Sequence, residues 1–336
     1  MKHKLFFLIT IVSVVFIVVG ALLFWIYRKN GADAGNNLSS VTLINNESVE
    51  PIVYYGGNRY EYDDNISTFL VIGVDDNDNE DEEVLDDLNR NSGQSDFLML
   101  VVFNNATKTY KIIQINRDTM TEIRCIDQDG NISGTITEQI SLSHTFGSGE
   151  QDSCENTVYS VSRLLYDVNI DNYMSITMDV VPILNDIAGG VDVQVEDDFT
   201  GVDNTLTMGE TVHLEGEHAL IFIRARRQLV DDSNESRMRR QHVYLTALRT
   251  ALKEKFLHDP TFAITAYNTI SDYTVTDLNF YDIALLAFKL ATYEYEGVIT
   301  PSGEFIEDDR YMEFYVDDGE LADLVIDLFY KPADEA

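Results

Sequence analysis

Residues 96–119, DFLMLVVFNNATKTYKIIQINRDT, contain two apolar runs joined by a polar turn. The run 97–103 is apolar throughout. In 110–115, an extended backbone would place Tyr110, Ile112 and Gln114 on one face and Ile113 and Ile115 on the other. Two such runs around a short polar turn predict a β-hairpin. The hairpin would begin beside Asp96 and end beside Arg117, so a negatively and a positively charged residue would lie at the same end of the hairpin.

The chain on either side of this hairpin predicts an alternation of strands and helices. Strands are predicted at 69–74, ending beside Asp75, and at 191–195, and helices at 155–167, 181–188 and 236–256. Apolar segments recur without a long break from residue 67 to residue 330. This pattern predicts one large α/β domain, organised around a single sheet, over 67–331.

A long apolar segment precedes the domain. Residues 5–27 are uncharged and, as a helix, would reach roughly 35 Å, which exceeds the hydrocarbon thickness of a bilayer. A cleaved signal peptide is the alternative, but its apolar region is usually shorter. We therefore expect a cytoplasmic tail at 1–4, a single transmembrane helix at 5–27, a stalk at 28–66, and an extracellular domain attached to the cell membrane.

The charge of the chain restricts its partners. It carries 58 acidic and 23 basic residues, a net charge of −35. Such a protein should repel nucleic acid, so no nucleic-acid partner is expected. Against this background, residues 223–241 contain six arginines.

The helix predicted at 236–256 indicates where some of these arginines point. Its apolar stripe, continued towards the amino terminus, runs through Gln241 and Arg237 with Arg240 beside them, whereas Arg239 lies on the other face. A guanidinium on an inward face needs a partner.

That partner could be a nearby carboxylate or an anionic ligand. Asp231, Asp232 and Glu235 are the nearby acids. Arg224 and Arg226 would share one side of an extended segment just before the helix, so four guanidiniums could converge on a helix amino terminus. Such a cluster is typical of a phosphate or pyrophosphate site.

Six segments in this order resemble the LytR-CpsA-Psr family of membrane-anchored cell-wall enzymes. They are FLVIGVDD (69–76), SDFLMLVVFN (95–104), IIQINRDTM (112–120), LNDIAGGVDVQV (184–195), LEGEHALIFIRAR (214–226) and RMRRQ (237–241). The resemblance covers about residues 67–330 and includes the single amino-terminal anchor.

The resemblance implies a fold and an activity. The fold would be an α/β/α sandwich with a central mixed sheet and an apolar cleft for a lipid tail. The enzyme would move a phospho-glycopolymer, such as wall teichoic acid or capsule, from a polyprenyl-pyrophosphate carrier to peptidoglycan outside the membrane. Mg²⁺ would bridge the pyrophosphate and two aspartates. A polyprenyl-pyrophosphate hydrolase and a non-catalytic receptor for the lipid carrier or the cell wall remain alternatives.

The resemblance also assigns roles to residues. Asp75 and Asp96 match the metal-binding positions, and either Asp75 or Asp118 could be the base that works beside Arg117. The positions that match pyrophosphate contacts are Arg117, Arg224, Arg226, Arg237, Arg240 and Gln241. Two positions depart from the family pattern: Gln94 replaces an arginine and Asn234 replaces an aspartate.

The two cysteines bear on the compartment. Cys125 and Cys154 both lie in the predicted extracellular part, where an oxidising environment would let them form a disulfide. Two reduced, buried thiols are the alternative.

Overall fold

A computed structural model describes residues 52–76, 88–225, 229, 234–307 and 312–333. The predicted tail, membrane helix and most of the stalk lie outside these residues, as do Arg226, Asp231 and Asp232. Within the described part of the chain, no helix has the length and apolarity needed to cross a membrane.

The described residues form fifteen strands and seven α-helices. The strands are β1 (Ile52–Tyr55), β2 (Asn58–Tyr62), β3 (Ile66–Asp76), β4 (Gly93–Asn104), β5 (Thr109–Ile115), β6 (Met120–Ile126), β7 (Ile132–Gln139), β8 (Asn172–Thr177), β9 (Val191–Gln194), β10 (Thr211–Leu214), β11 (Thr274–Thr276), β12 (Glu294–Ile299), β13 (Gly303–Glu307), β14 (Met312–Val316) and β15 (Tyr330–Pro332). The helices are α1 (Gln151–Leu164), α2 (Val180–Ala188), α3 (Glu217–Arg224), α4 (Asn234–His258), α5 (Phe262–Ile270), α6 (Phe280–Thr292) and α7 (Asp318–Phe329).

The central sheet has six strands in the order β11-β8-β3-β4-β5-β12. The predicted hairpin is β4–β5, and β3 pairs antiparallel with β4. β8 and β12 are parallel to their neighbours β3 and β5. The sheet is therefore mixed, as expected.

Helices cover both faces of this sheet. On one face, Leu70, Leu100 and Ile113 pack with side chains of α1 and α7. On the other face, Phe103 and Ile112 pack with side chains of α5 and α6. Because neighbouring residues of a strand point to opposite faces, strands covered on both sides are almost continuously apolar. The α/β/α sandwich is thus confirmed.

A second apolar cluster joins α2, α3 and α4 to the β9–β10 pair. Its centre is formed by Val193, Phe222, Tyr244 and Leu248. Gly189 ends α2 with a left-handed backbone (φ 90°), which residues with a side chain rarely adopt. The predicted helix, glycine stop and following strand are all present, and they place α3 and α4 beside the central sheet.

The domain begins earlier than the sequence predicts. β1 and β2 form a hairpin, and β2 pairs with β15 near the end of the described chain. Residues 52–62 therefore belong to the domain, whereas the sequence analysis placed them in a stalk that reached residue 66. The pairing partner is more than 260 residues away, so no local pattern indicated it.

The structure supports the second of the two alternatives for the cysteines, reduced and buried thiols rather than a disulfide. Cys125 and Cys154 are both free and buried. They belong to different apolar clusters: Cys125 packs with Ile123 and Phe146, and Cys154, a residue of α1, packs in the main core. Burial raises the pKa of the Cys154 thiol to about 12, which makes it a poor nucleophile.

Candidate active site

Asp96 owes its position to an irregularity of the sheet. Gly73 pairs with Phe97 and Val74 pairs with Ser95, so Asp96 is the extra residue of a β-bulge in β4. A Cβ atom on Gly73 would lie 2.9 Å from the Cβ atom of Phe97, so the strands approach closely here. Bulges redirect side chains and are common beside active sites.

Two arginines contact the buried carboxylate of Asp96. Arg117, just after β5, donates from Nη1 to Oδ1 of Asp96. Arg237, in the first turn of α4, donates from Nη1 to Oδ2 over 3.4 Å. The expected meeting of Asp96 and Arg117 is confirmed, and α4 contributes a second cation from the other side of the site.

Gln94 also contacts Arg117. The Nη2 atom of Arg117 donates to Oε1 of Gln94 over 2.7 Å and lies 3.4 Å from Oγ of Ser141. The sequence analysis treated Gln94 as the loss of one cationic contact. In the structure this neutral side chain instead holds the guanidinium of Arg117 in place.

Asp75, near the end of β3, is paired with Arg224. The Nη2 atom of Arg224 lies 2.8 Å and 3.0 Å from the two carboxylate oxygens. Burial raises the pKa of Asp75; Arg224 opposes this shift and nearby Asp96 reinforces it. Asp75 and Asp96 are therefore close enough to repel each other.

The arrangement of Arg224 differs from the prediction. The sequence analysis expected an extended segment over 223–226, but Arg224 is the last residue of helix α3. Its side chain is exposed and still reaches Asp75. Arg226 lies outside the described residues, so the proposed pairing of these two arginines stays a prediction.

Arg240 is inward-facing, as predicted, but its guanidinium is used inside the protein. Nη1 donates to Asp197 over 2.6 Å and to Ser236 over 2.8 Å, and Nε donates to the carbonyl of Phe222 over 3.0 Å. Nη2 donates to the carbonyl of Ala225. Arg240 therefore joins the end of α3 to the start of α4, which corrects the expectation that it contacts pyrophosphate.

Asp197 is the main residue that the sequence analysis missed. It accepts hydrogen bonds from Arg240, Ser236 and outward-facing Arg239. The analysis looked for the arginines' partners among Asp231, Asp232 and Glu235, which are nearer in sequence. Asp197 follows β9, and only the packing of β9 against α4 brings it to these arginines.

Asp118 is held from three sides. Its Oδ1 atom accepts from Nε2 of Gln139 over 3.2 Å and lies 3.5 Å from Nε of Arg117. Its backbone carbonyl accepts from the N–H of Phe314. This buried carboxylate is placed to orient Arg117 and to anchor β14.

An apolar cavity of about 360 Å³ lies between the sheet and helices α4, α5 and α6. Its walls include Phe69, Val101, Leu252 and Leu286. Volumes of this size are typical of binding sites for small molecules.

A narrower chamber of about 70 Å³ adjoins this cavity. It shares Leu245 and Leu248 with the cavity and is also lined by Phe97, the residue after Asp96, and by Gln241. Gln241 accepts a hydrogen bond from Gln114 over 3.5 Å, and Gln114 itself lines the large cavity. The apolar space therefore extends to Phe97, the neighbour of Asp96, and to Gln241, one helical turn after Arg237.

Asp75 and Asp96 provide two carboxylates for a cation. No group of three or more His, Cys, Asp or Glu side chains within the described ranges could hold a metal ion. Mg²⁺, however, is commonly bound by one or two carboxylates together with substrate phosphates. The two mutually repelling carboxylates fit Mg²⁺ that is shared with a phosphate ligand.

The LytR_cpsA_psr family profile matches residues 32–311. The chain belongs to this family. It is 31% identical over 143 residues to a polyisoprenyl-teichoic acid–peptidoglycan teichoic acid transferase TagU of Bacillus cereus (strain AH820), and the match covers 43% of this chain and 42% of that protein. The chain thus spans about two fifths of the length of the first curated relatives that it matches.

Solved structures of similar proteins agree with the fold of this LytR_cpsA_psr member. The crystal structure of TagV from B. subtilis is 21% identical, with a TM-score of 0.60, and the match covers 79% of this chain and 96% of that chain. The structure of TagT bound to LI-WTA is 22% identical, with a TM-score of 0.58, and the match covers 80% and 92% of the two chains.

Proposed function

We propose that this protein transfers a phospho-glycopolymer of the teichoic acid or capsule type from a polyprenyl-pyrophosphate carrier to peptidoglycan. The observation that carries the proposal is that an arginine–aspartate cluster and an apolar cavity of about 360 Å³ occur together, with the smaller chamber beside the cavity lined by Phe97, the neighbour of Asp96, and by Gln241, one helical turn after Arg237. This combination fits an amphiphile with an anionic head and a hydrocarbon tail. The name of the TagU relatives supports the choice of donor and acceptor.

The arginines of the site would bind the pyrophosphate. Arg117 and Arg237 both reach Asp96, and Arg224 reaches Asp75, so three guanidiniums lie against the two carboxylates. Guanidinium groups bind phosphate oxygens through paired hydrogen bonds. Phosphoryl transfer needs little covalent help from a protein beyond this alignment and charge neutralisation.

Asp75 and Asp96 would hold Mg²⁺, which when bound supplies charge neutralisation on the phosphate oxygens. In the transfer itself, the acceptor hydroxyl oxygen forms a bond to phosphorus while the bond to the bridging oxygen breaks. The polyprenyl phosphate leaves with the electron pair. The proton of the hydroxyl passes to a base.

Of the two candidate bases, Asp75 fits this role better. It lies at the end of a strand and pairs with the exposed side chain of Arg224, whereas Asp118 is buried. Asp118 is fixed by Gln139 and lies against Arg117, so its role would be to orient that arginine.

A transfer assay tests the proposal. The purified full-length protein is incubated with a lipid-linked glycopolymer labelled in the polymer and with peptidoglycan, in the presence of Mg²⁺ or a chelator. We expect label to become covalently attached to peptidoglycan only with Mg²⁺. Asp96→Asn should abolish attachment, and Asp129→Asn, in an exposed turn, is the matched control.

The same assay distinguishes the alternatives. A hydrolase would release labelled polymer phosphate at the same rate with and without peptidoglycan. A non-catalytic receptor would bind the lipid-linked polymer and form neither product. Either result would overturn the transferase proposal.

The membrane location is part of this proposal. A lipid-linked donor resides in a bilayer, and the apolar segment 5–27 is long enough to anchor the domain there. We propose a single-pass protein with its catalytic domain outside the cell membrane. Protease treatment of intact cells without their wall should digest the domain, and protection of the domain would contradict this orientation.

A further inference from the structure

Helix α6 is apolar on two opposite faces. Its inner face contributes Ile283, Leu286 and Leu290 to the wall of the large cavity. Its outer face presents Tyr281 and Phe288 to solvent, exposed by 73% and 50%. An amphipathic surface helix would carry polar side chains on that outer face.

The outer side chains form a continuous stripe. Tyr281, Leu285 and Phe288 are separated by four and three residues, which places them in one row along a helix. Leu285 is 42% exposed. Large exposed apolar patches mark interaction sites.

The charged residues of α6 do not interrupt this stripe. Asp282 accepts a hydrogen bond from the backbone N–H of Asn279 as part of the helix cap. Lys289 donates to Oγ of Ser67 over 3.0 Å, and its ammonium group lies 5.2 Å from the centre of the Phe103 ring. The outer row of α6 is therefore uncharged.

Two observations favour a lipid bilayer as the occupant of this stripe. A second copy of the chain would also carry a net charge of −35, and the repulsion between the two copies would oppose their association. The stripe is also continuous, through one helix, with the cavity that would take up a lipid tail.

We propose that the stripe of Tyr281, Leu285 and Phe288 docks on the bilayer, with α6 between the acyl chains and the lipid cavity. The proposal rests on the proposed function in so far as the cavity receives a lipid. An interfacial helix of this kind buries its apolar face roughly 5–10 Å into the boundary of headgroups and acyl chains. The donor lipid would then pass into the cavity without crossing water.

Tryptophan fluorescence tests the docking directly. The chain has a single tryptophan, Trp25, so Trp25→Phe gives a silent background for Phe288→Trp or Leu285→Trp. The full-length variants are reconstituted in phosphatidylcholine vesicles that contain lipids brominated on the acyl chains, which quench nearby tryptophan. Ile132→Trp on β7, a position that is 58% exposed, is the matched control.

We expect brominated lipid to lower the emission severalfold for Phe288→Trp and Leu285→Trp, and little for Ile132→Trp. Equal quenching at all three positions would overturn the proposal. Emission that is blue-shifted but not quenched would also overturn it, because the stripe would then be covered by protein, either a second copy or residues 5–27.

A functional arm separates this inference from the proposed function. The double variant Leu285→Ser with Phe288→Ser should lose transfer severalfold when the donor is embedded in a bilayer and keep it when the donor is a short-chain, water-soluble analogue. Equal loss with both donors would contradict a docking role. Quenching does not require turnover, so absence of transfer in the unsubstituted protein would refute the proposed function and leave the docking result valid.

Discussion

Replacing Arg240 with Gln should destabilise the domain and leave the lipid-pyrophosphate affinity of the folded protein unchanged. Arg240 is only 3% exposed. Its guanidinium pairs with Asp197 and donates to the carbonyls of Phe222 and Ala225, at the end of α3. Gln is shorter and uncharged, so it cannot make this set of contacts.

The size of the effect follows from these contacts. Removing one partner of a buried ion pair typically costs about 3–5 kcal/mol. Asp197 would keep its hydrogen bonds to Arg239 and Ser236, which places the expected loss near the lower end, about 3 kcal/mol. At about 2–4 °C per kcal/mol for a domain of this size, the melting temperature should fall by roughly 6–12 °C.

The assay combines thermal melts with binding of a short-chain polyprenyl pyrophosphate, measured well below both melting temperatures. Arg239→Gln is the control, because Arg239 shares Asp197 but is 45% exposed along its side chain, and exposed pairs contribute about 0–1 kcal/mol. An unchanged melting temperature together with weakened binding in Arg240→Gln would refute the structural role and would indicate that Arg240 binds the ligand.

Three further predictions follow from other buried groups. Asp96→Asn should destabilise the protein, because two arginines lose a shared carboxylate. The variant should also lose the rise in melting temperature that Mg²⁺ with pyrophosphate gives the unsubstituted protein. An equal rise in both proteins would show that Asp96 is not a metal ligand. Burial lowers the pKa of His144 in the folded protein. Below the unfolded-state pKa of about 6.5, the unfolded chain therefore binds more protons than the folded protein does, and the free energy of unfolding should decrease as the pH is lowered. Denaturant titrations of the protein and of His144→Gln should diverge from about pH 6.5 downwards, and parallel curves would contradict this. Without reductant, Cys125 and Cys154 should both be alkylated after denaturation and resist alkylation in the native protein; a disulfide found by mass spectrometry would contradict the structure.

Local sequence patterns predicted the parts of the site that depend on a single element. The hairpin β4–β5 brings Asp96 and Arg117 together because a polar turn joins two apolar runs. The helical period of α4 correctly placed Arg237, Arg240 and Gln241 on the buried face, since that period determines which residues share a side.

Features that depend on distant contacts could not be predicted in this way. Asp197 pairs with Arg240 across 43 positions of the chain. Residues 223–226 were considered as an extended segment, but Arg224 ends a helix, because a short apolar run is compatible with either a strand or a helix. The bulge at Asp96 depends on the register between two strands, which neither strand determines alone.

This bulge means that the carboxylate of Asp96 is positioned by the number of residues in β4. Removing residue 96 would let β3 and β4 pair without interruption, and a regular ladder has no unpaired backbone groups to accommodate. Such a deletion would restore regular pairing of β3 and β4, while it eliminates an acid of the site and leaves Arg117 and Arg237 without their shared carboxylate. Proteins that share this fold could differ in activity through the gain or loss of a single residue, and a superposition of their sheets would hardly register the difference.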